Sequence, residues 1–276
     1  MTQTDDETAL LPRQLLDEHS YKKVLTMACK VVSSMIRHFA AVRLVAARKD
    51  YIIVNFLSRA SATTKSMMHL YDLNDYSSFM ILLRIVIERI LYLGHLELTN
   101  AYEEFEKDTI WERHRQLHRI KSDADMVRKA GSQFKTAYQI SHLLVKNIKR
   151  MFGSKKGLPY HAETSAKQMK LDFLYTYGYE VASSYVHPMA DEGSQELEEL
   201  IANTVRSLGS EKASLLQNAC FALLLLVRYS VKYSSMAWDS RYSSFVDAMM
   251  KYTGTGDKAS IVKGEILMKE IEDVIN

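Results

Sequence analysis

A chain of 276 residues, 47% hydrophobic and 25% charged, carries enough apolar surface to offset the entropy of ordering, which excludes global disorder. Three prolines and ten glycines are too few for the tight turns of a sandwich or barrel, so long helices joined by few loops are expected. A formal net charge of +3 does not by itself mark a nucleic-acid binder, which leaves that question to local clustering.

The N-terminal residues MTQTDDETALLPRQ are polar and acidic, unlike a secretory signal, and residues 1–8 read as a loose tail. Pro12 suits a first helical turn, and the pattern is helical from there to about Arg48, with apolar residues from Leu16 to Val42 recurring at threes and fours and a break allowed near His19–Ser20. Asp50 is placed to cap a second helix. Asn74 or Asp75 opens a third, whose run FMILLRIVIERILYL is apolar all round and therefore central. A fourth helix covers roughly 99–118, and a fifth runs from Ser122, in capping-box spacing with Asp125, to about Met151. The irregular stretch at 152–166 reads as a loop or subdomain boundary. Gln168–His187 is expected to be one helix ended by Pro188, Ser210–Tyr252 another, and an amphipathic helix closes the chain. The pattern predicts an all-α, bundle-like fold of about eight to ten helices in a single domain over 9–276.

Cys29 and Cys220 lie far apart in apolar surroundings and form no CxxC pair, so neither zinc nor a disulfide is indicated. Buried thiols suit a reducing, cytoplasmic setting. Phe79–Leu93 is interrupted by Arg84, Glu88 and Arg89, and Ala219–Val227 stops at Arg228; both fall short of the roughly 20 residues of a membrane span, so no membrane association is expected.

Two constellations bear on chemistry. Arg84 and Glu88 stand four apart in the most apolar helix, where charges need partners. They make either a structural ion pair or a guanidinium and carboxylate in a dry pocket fit for a phosphate. Further on, in YGYEVASSYVHP, Tyr177, Glu180, Ser184 and His187 form one polar stripe at helical spacing, and Ser183 lies one turn before His187. His187, at a helix C-terminus, gains from the dipole when charged, or simply donates to loop carbonyls.

The combination of R-x-x-x-E (Arg84, Glu88) with Y…S-x-x-H-P (Tyr177 or Tyr179, Ser184, His187, Pro188) resembles an uncharacterised bacterial helical family, the domain of unknown function family numbered five-six-seven-seven. The resemblance covers roughly residues 50–235. It implies an all-α fold and a shared polar pocket joining Arg84, Glu88 and His187. Separately, RHRQLH, with Arg113, His114 and His118, resembles the signature of the HEPN group of helical proteins, an Arg followed by a polar residue and then a His. That resemblance implies a metal-independent ribonuclease of phage defence or toxin systems. Its His would move the proton at the ribose 2′-OH, and its Arg would hold the developing phosphorane charge. Arg13–His19 and Arg89–His95 share the spacing.

Basic clusters support RNA as a partner. Arg113, Arg115, Arg119 and Lys121 interleave with His114 and His118, and Lys146, Lys149, Arg150, Lys155 and Lys156 follow. The same clusters also read as a solvated face. No Walker loop, nucleophile elbow or HExxH occurs, and no metal or other cofactor is expected. The sequence therefore points to an RNA-acting helical effector, with a homodimer or a partner protein encoded nearby as further options. The alternative is a non-catalytic interaction or ligand-sensing module whose Arg/Glu/His pocket is structural.

Overall fold

The computed structural model describes residues 16–122, 124–152, 160–186, 201 and 211–275. His187, Pro188, Lys155 and Lys156 lie outside the described residues, as do the expected tail at 1–8 and most of the stretch at 152–166. The fold is all-α, and no strand occurs among the described residues.

Two compact units form, one from Met1–Gly94 with Ala162–Asn276, the other from His95–His161. One boundary between the units falls inside the irregular stretch at 152–166.

In the first unit, α1 (Glu18–Val42) starts where the Asp17 carboxylate accepts from the Ser20 amide at 2.7 Å. It packs on α2 (Arg48–Asp72), and Tyr21, Leu25, Met35, Ile53, Leu57 and Met67 from the two helices are fully buried. Asp50 is not the N-cap of α2 as expected but its third residue; Ala47 holds the cap and donates its amide back to Asp50 Oδ2 at 3.2 Å. The other oxygen of Asp50 accepts from Ser234 Oγ at 2.6 Å and from the Ser235 amide at 2.8 Å. Those bonds hold a turn in the stretch that the sequence presents as one helix from Ser210 to Tyr252. The stretch instead folds as α8 (Glu211–Tyr233) and α9 (Ser240–Thr255), with Asp239 capping the second. Gly256, at φ 71°, closes α9, and α10 (Lys258–Ile275) packs back on α9 and α1.

Over Lys212–Tyr233, α8 is long and apolar enough to cross a membrane, a longer run than the nine residues read from sequence. It packs on α1, α2 and α9, and Leu216, Ala219, Cys220 and Leu223 to Val227 are buried against them.

α3 (Tyr76–Thr99) opens where Asp75 accepts from the Ser78 amide at 3.0 Å. Phe79, Leu83, Val86, Ile90 and Leu91 are buried, as the all-round apolar pattern predicts. The helix expected from Gln168 to His187 is broken. α6 (Ala162–Met169) ends at Lys170, whose φ of 59° is left-handed. A π-helix follows at Leu174–Glu180 and leads into α7 (Val181–Ser184). In the second unit, α4 (Tyr102–Lys121) and α5 (Ala124–Phe152) pack into an antiparallel hairpin. Ser122 closes α4, its hydroxyl donating to the Arg119 carbonyl at 2.6 Å. Gly131, at φ 65° and ψ −157°, breaks α5 near its start, a conformation open to glycine.

Candidate functional site

Arg84 is the hub of the constellation in the first unit. Its Nε donates to Ser183 Oγ at 2.9 Å and a terminal nitrogen donates to the Tyr179 hydroxyl at 2.9 Å. Its other terminal nitrogen stands 3.8 Å from Glu88. Ser183 passes its own proton to the Tyr179 carbonyl at 2.7 Å. The guanidinium also lies 4.9 Å from the centre of the Tyr179 ring. The Arg84 side chain is 19% exposed and that of Glu88 38%, so the pair sits at a wet margin rather than in a dry pocket.

The expected stripe of Tyr177, Glu180 and Ser184 does not face Arg84. Hydrogen bonds from i to i+5 add about one residue per turn, so the π-helix moves the faces out of 3.6 register. Tyr179 and Ser183 are brought onto Arg84, Tyr177 is 64% exposed, and Ser184 donates to the Val181 carbonyl at 2.7 Å. Glu180 instead raises the Tyr175 phenol, after the larger effect of burial. Two of the five N–H groups of Arg84 are thus given to neutral oxygens of its own chain, the arrangement of a clamp between α3 and the π-helix.

The second constellation lies between α4 and α5. His114, one turn before His118, meets three residues that the sequence reading had not singled out. Its ring centre lies 5.6 Å from that of Tyr138, 5.6 Å from that of His142 and 6.2 Å from that of His118. Its Nδ1 is 3.1 Å from Ser141 Oγ. Tyr138 and His142, four apart on α5, stack at an interplanar angle of 17°. Lys121 Nζ stands 4.5 Å above the Tyr138 ring, and Lys149 Nζ 5.0 Å above that of Trp111. Burial, then His142, His118 and Lys149, hold the His114 imidazole below its ordinary pKa.

Arg113 and His118 are not brought together. Five positions on one helix separate them by about 140° around its axis. Arg113 is exposed, and Arg115 is tied to Glu112. The cations nearest the rings are Lys121 and Lys149; Arg119, Lys146 and Arg150 are exposed on the same hairpin. Charge marks this hairpin in the sequence more clearly than the RHRQLH motif does. Residues 111–156 hold twelve Lys and Arg against three Asp and Glu, while the rest of the chain is net acidic.

Elsewhere, a groove of about 280 Å³ along α1 and α10 is lined by Lys22, Lys23 and Lys30, but each pairs with an acid, Asp72, Glu265 and Glu272 respectively. Among the described residues no group of three His, Cys, Asp or Glu is placed to hold a metal ion.

The model of the Family of unknown function (DUF5677) matches residues 50–200, more than half of the chain. The chain belongs to this family. Both constellations lie inside the matched span, whereas α8, α9 and α10 lie outside it. No curated protein and no solved structure matches the chain.

Proposed function

We propose that this family member acts on RNA, with the α4–α5 hairpin as its nucleic-acid face and metal-independent backbone cleavage as its reaction. One observation carries the reading: His114, His118 and His142 gather around Tyr138 on the most basic stretch of the chain. Imidazoles supply both a proton acceptor and a proton donor near neutral pH. The stacked rings of Tyr138 and His142 offer a face to an unpaired base, and Lys121 and Lys149 neutralise backbone phosphates without regard to sequence. A role in phage defence or a toxin system accords with the likeness of RHRQLH to HEPN ribonucleases. In this reading the charge-holding part assigned to Arg113 passes to Lys149, because Arg113 stands on another side of α4. On the same reading Arg84, Glu88 and Tyr179 serve the fold; the rival, a ligand-sensing module centred on Arg84, starts with two of the five N–H groups of that guanidinium already given to Ser183 and Tyr179.

The test is digestion of total cellular RNA by the full-length protein with chelator present, beside His118→Ala, His142→Ala, Arg113→Ala, Arg84→Lys and His187→Ala. The expected result is cleavage lost in the first two and kept in Arg113→Ala. Loss confined to Arg84→Lys or His187→Ala moves the site to the first unit. A folded wild-type protein that neither cuts nor binds single-stranded RNA overturns the reading in favour of the sensing module.

A further inference from the structure

Within the ring cluster the three imidazoles are not equivalent, and the hydrogen bonds of Ser141 separate them. Ser141 sits on the buried side of α5, 4% exposed. Its hydroxyl has a single proton, which it gives to the Tyr138 carbonyl one turn back at 2.8 Å. Toward His114, 3.1 Å away, Ser141 Oγ is therefore left as an acceptor. That contact requires the proton of a neutral His114 to sit on Nδ1. The lone pair is then on Nε2, the nitrogen that Ser141 does not engage. The surroundings keep the ring neutral. On α4, His118 lies one turn away with Lys121 one turn beyond; on α5, His142, Tyr138 and Lys149 stand across from it. Among the described residues the charged groups that act on His114 are His142, His118 and Lys149, all of which disfavour the imidazolium, and Glu112 on α4 is paired with Arg115.

Resting on the RNA reading above, we infer that His114, not the motif histidine His118, is the proton acceptor of the site, with Ser141 as the positioning residue that sets its tautomer. In the step this implies, Nε2 of His114 takes the proton of a ribose 2′-OH. The 2′-oxygen attacks the adjacent phosphorus, and the bond from phosphorus to the 5′-oxygen breaks. The departing oxygen takes a proton from a cationic imidazole, for which His118 and His142 are the neighbours available. The products are a 2′,3′-cyclic phosphate and a free 5′-hydroxyl, with no water, metal or redox partner consumed. A hydroxyl that loads the proton onto Nδ1 does for His114 what a carbonyl or carboxylate does for many catalytic histidines: it orients the ring and exposes the basic nitrogen.

The experiment uses full-length protein labelled with nitrogen-15 at histidine, read by long-range proton–nitrogen correlation across pH, beside RNA cleavage rates over the same range. Expected is a His114 with Nδ1 protonated and Nε2 bare at neutral pH, and an acid limb of the rate profile that follows the His114 titration. Ser141→Ala should release the tautomer and slow cleavage on the order of a hundred-fold with KM little changed. Ser141→Thr, which keeps the hydroxyl, should recover tautomer and rate together; a Thr that packs badly shows itself in the spectrum, and the wild-type tautomer still decides. A His114 protonated on Nε2, or an acid limb that follows His118 or His142 while cleavage proceeds, overturns this assignment and leaves the RNA reading standing. A protein with the expected tautomer that cuts no RNA overturns both.

Discussion

Arg84 illustrates how one side chain joins segments that sequence spacing cannot connect. Removing it leaves Ser183 Oγ and the Tyr179 hydroxyl without their donor, in a site where the side chain is four-fifths covered. Hydrogen bonds to a charged group contribute about 1.5–3 kcal/mol each, and a site at the protein's margin takes the low end of that range. Arg84→Ala is therefore expected to cost about 2–3 kcal/mol in urea unfolding. Arg84→Lys should recover at most part of this, since an ammonium cannot span two acceptors as a planar fork does. A loss below about 0.5 kcal/mol would show that the clamp is ornamental to stability. The Arg84–Glu88 relation was legible from sequence because i and i+4 share a helix face. The more important partners were not, since Tyr179 and Ser183 lie 95 and 99 positions away and only their helix geometry selects them over Tyr177 and Ser184.

Between elements, close approach is set by glycines whose missing Cβ makes room. At Gly94 on α3 a Cβ would come within 1.9 Å of Met169 Sδ and 2.8 Å of its Cγ, so α6 packs where a side chain would stand. At Gly178 on the π-helix the nearest atom would be Ile87 Cδ1 at 2.9 Å, the tip of a flexible side chain. The two sites should differ accordingly. Gly94→Ala is expected to cost about 1–3 kcal/mol in chemical denaturation by overpacking, and a Met169→Ala background should relieve part of that. Gly178→Ala should cost clearly less, and equal losses would refute the packing argument. Element existence was largely readable from periodicity: α1, α2, α3 and α10 are where apolar spacing puts them. Breaks were not, because their causes are non-local. The turn between α8 and α9 is held by Asp50, 184 positions from Ser234, and the one local sign of it is the capping residue Asp239. The hairpin site was half legible. His114 and His118 appear in one motif on α4, but His142, Tyr138 and Ser141 enter only when α5 folds back against it.

Over the whole chain, a net charge of +3 conceals an uneven distribution. The excess of nine positive charges at 111–156 is offset by an acidic remainder, so the average tells little about the surface an RNA would meet. If the hairpin is that surface, its affinity must fall with salt, because each neutralised phosphate of a single strand releases counterions and adds about 0.7 to the slope of log K against log salt. Anisotropy of a labelled single-stranded RNA with the full-length protein gives that slope directly. Lys121→Gln and Lys149→Gln are each expected to lower it by about 0.7 and to weaken binding similarly across sequences. Lys23→Gln removes an equal charge from α1, where the ammonium is paired with Glu265, and should leave the slope where it was. Equal effects at all three positions would mean that the RNA answers to net charge alone. An effect confined to the hairpin places the phosphates beside Tyr138 and Trp111, within reach of the imidazoles of the ring cluster.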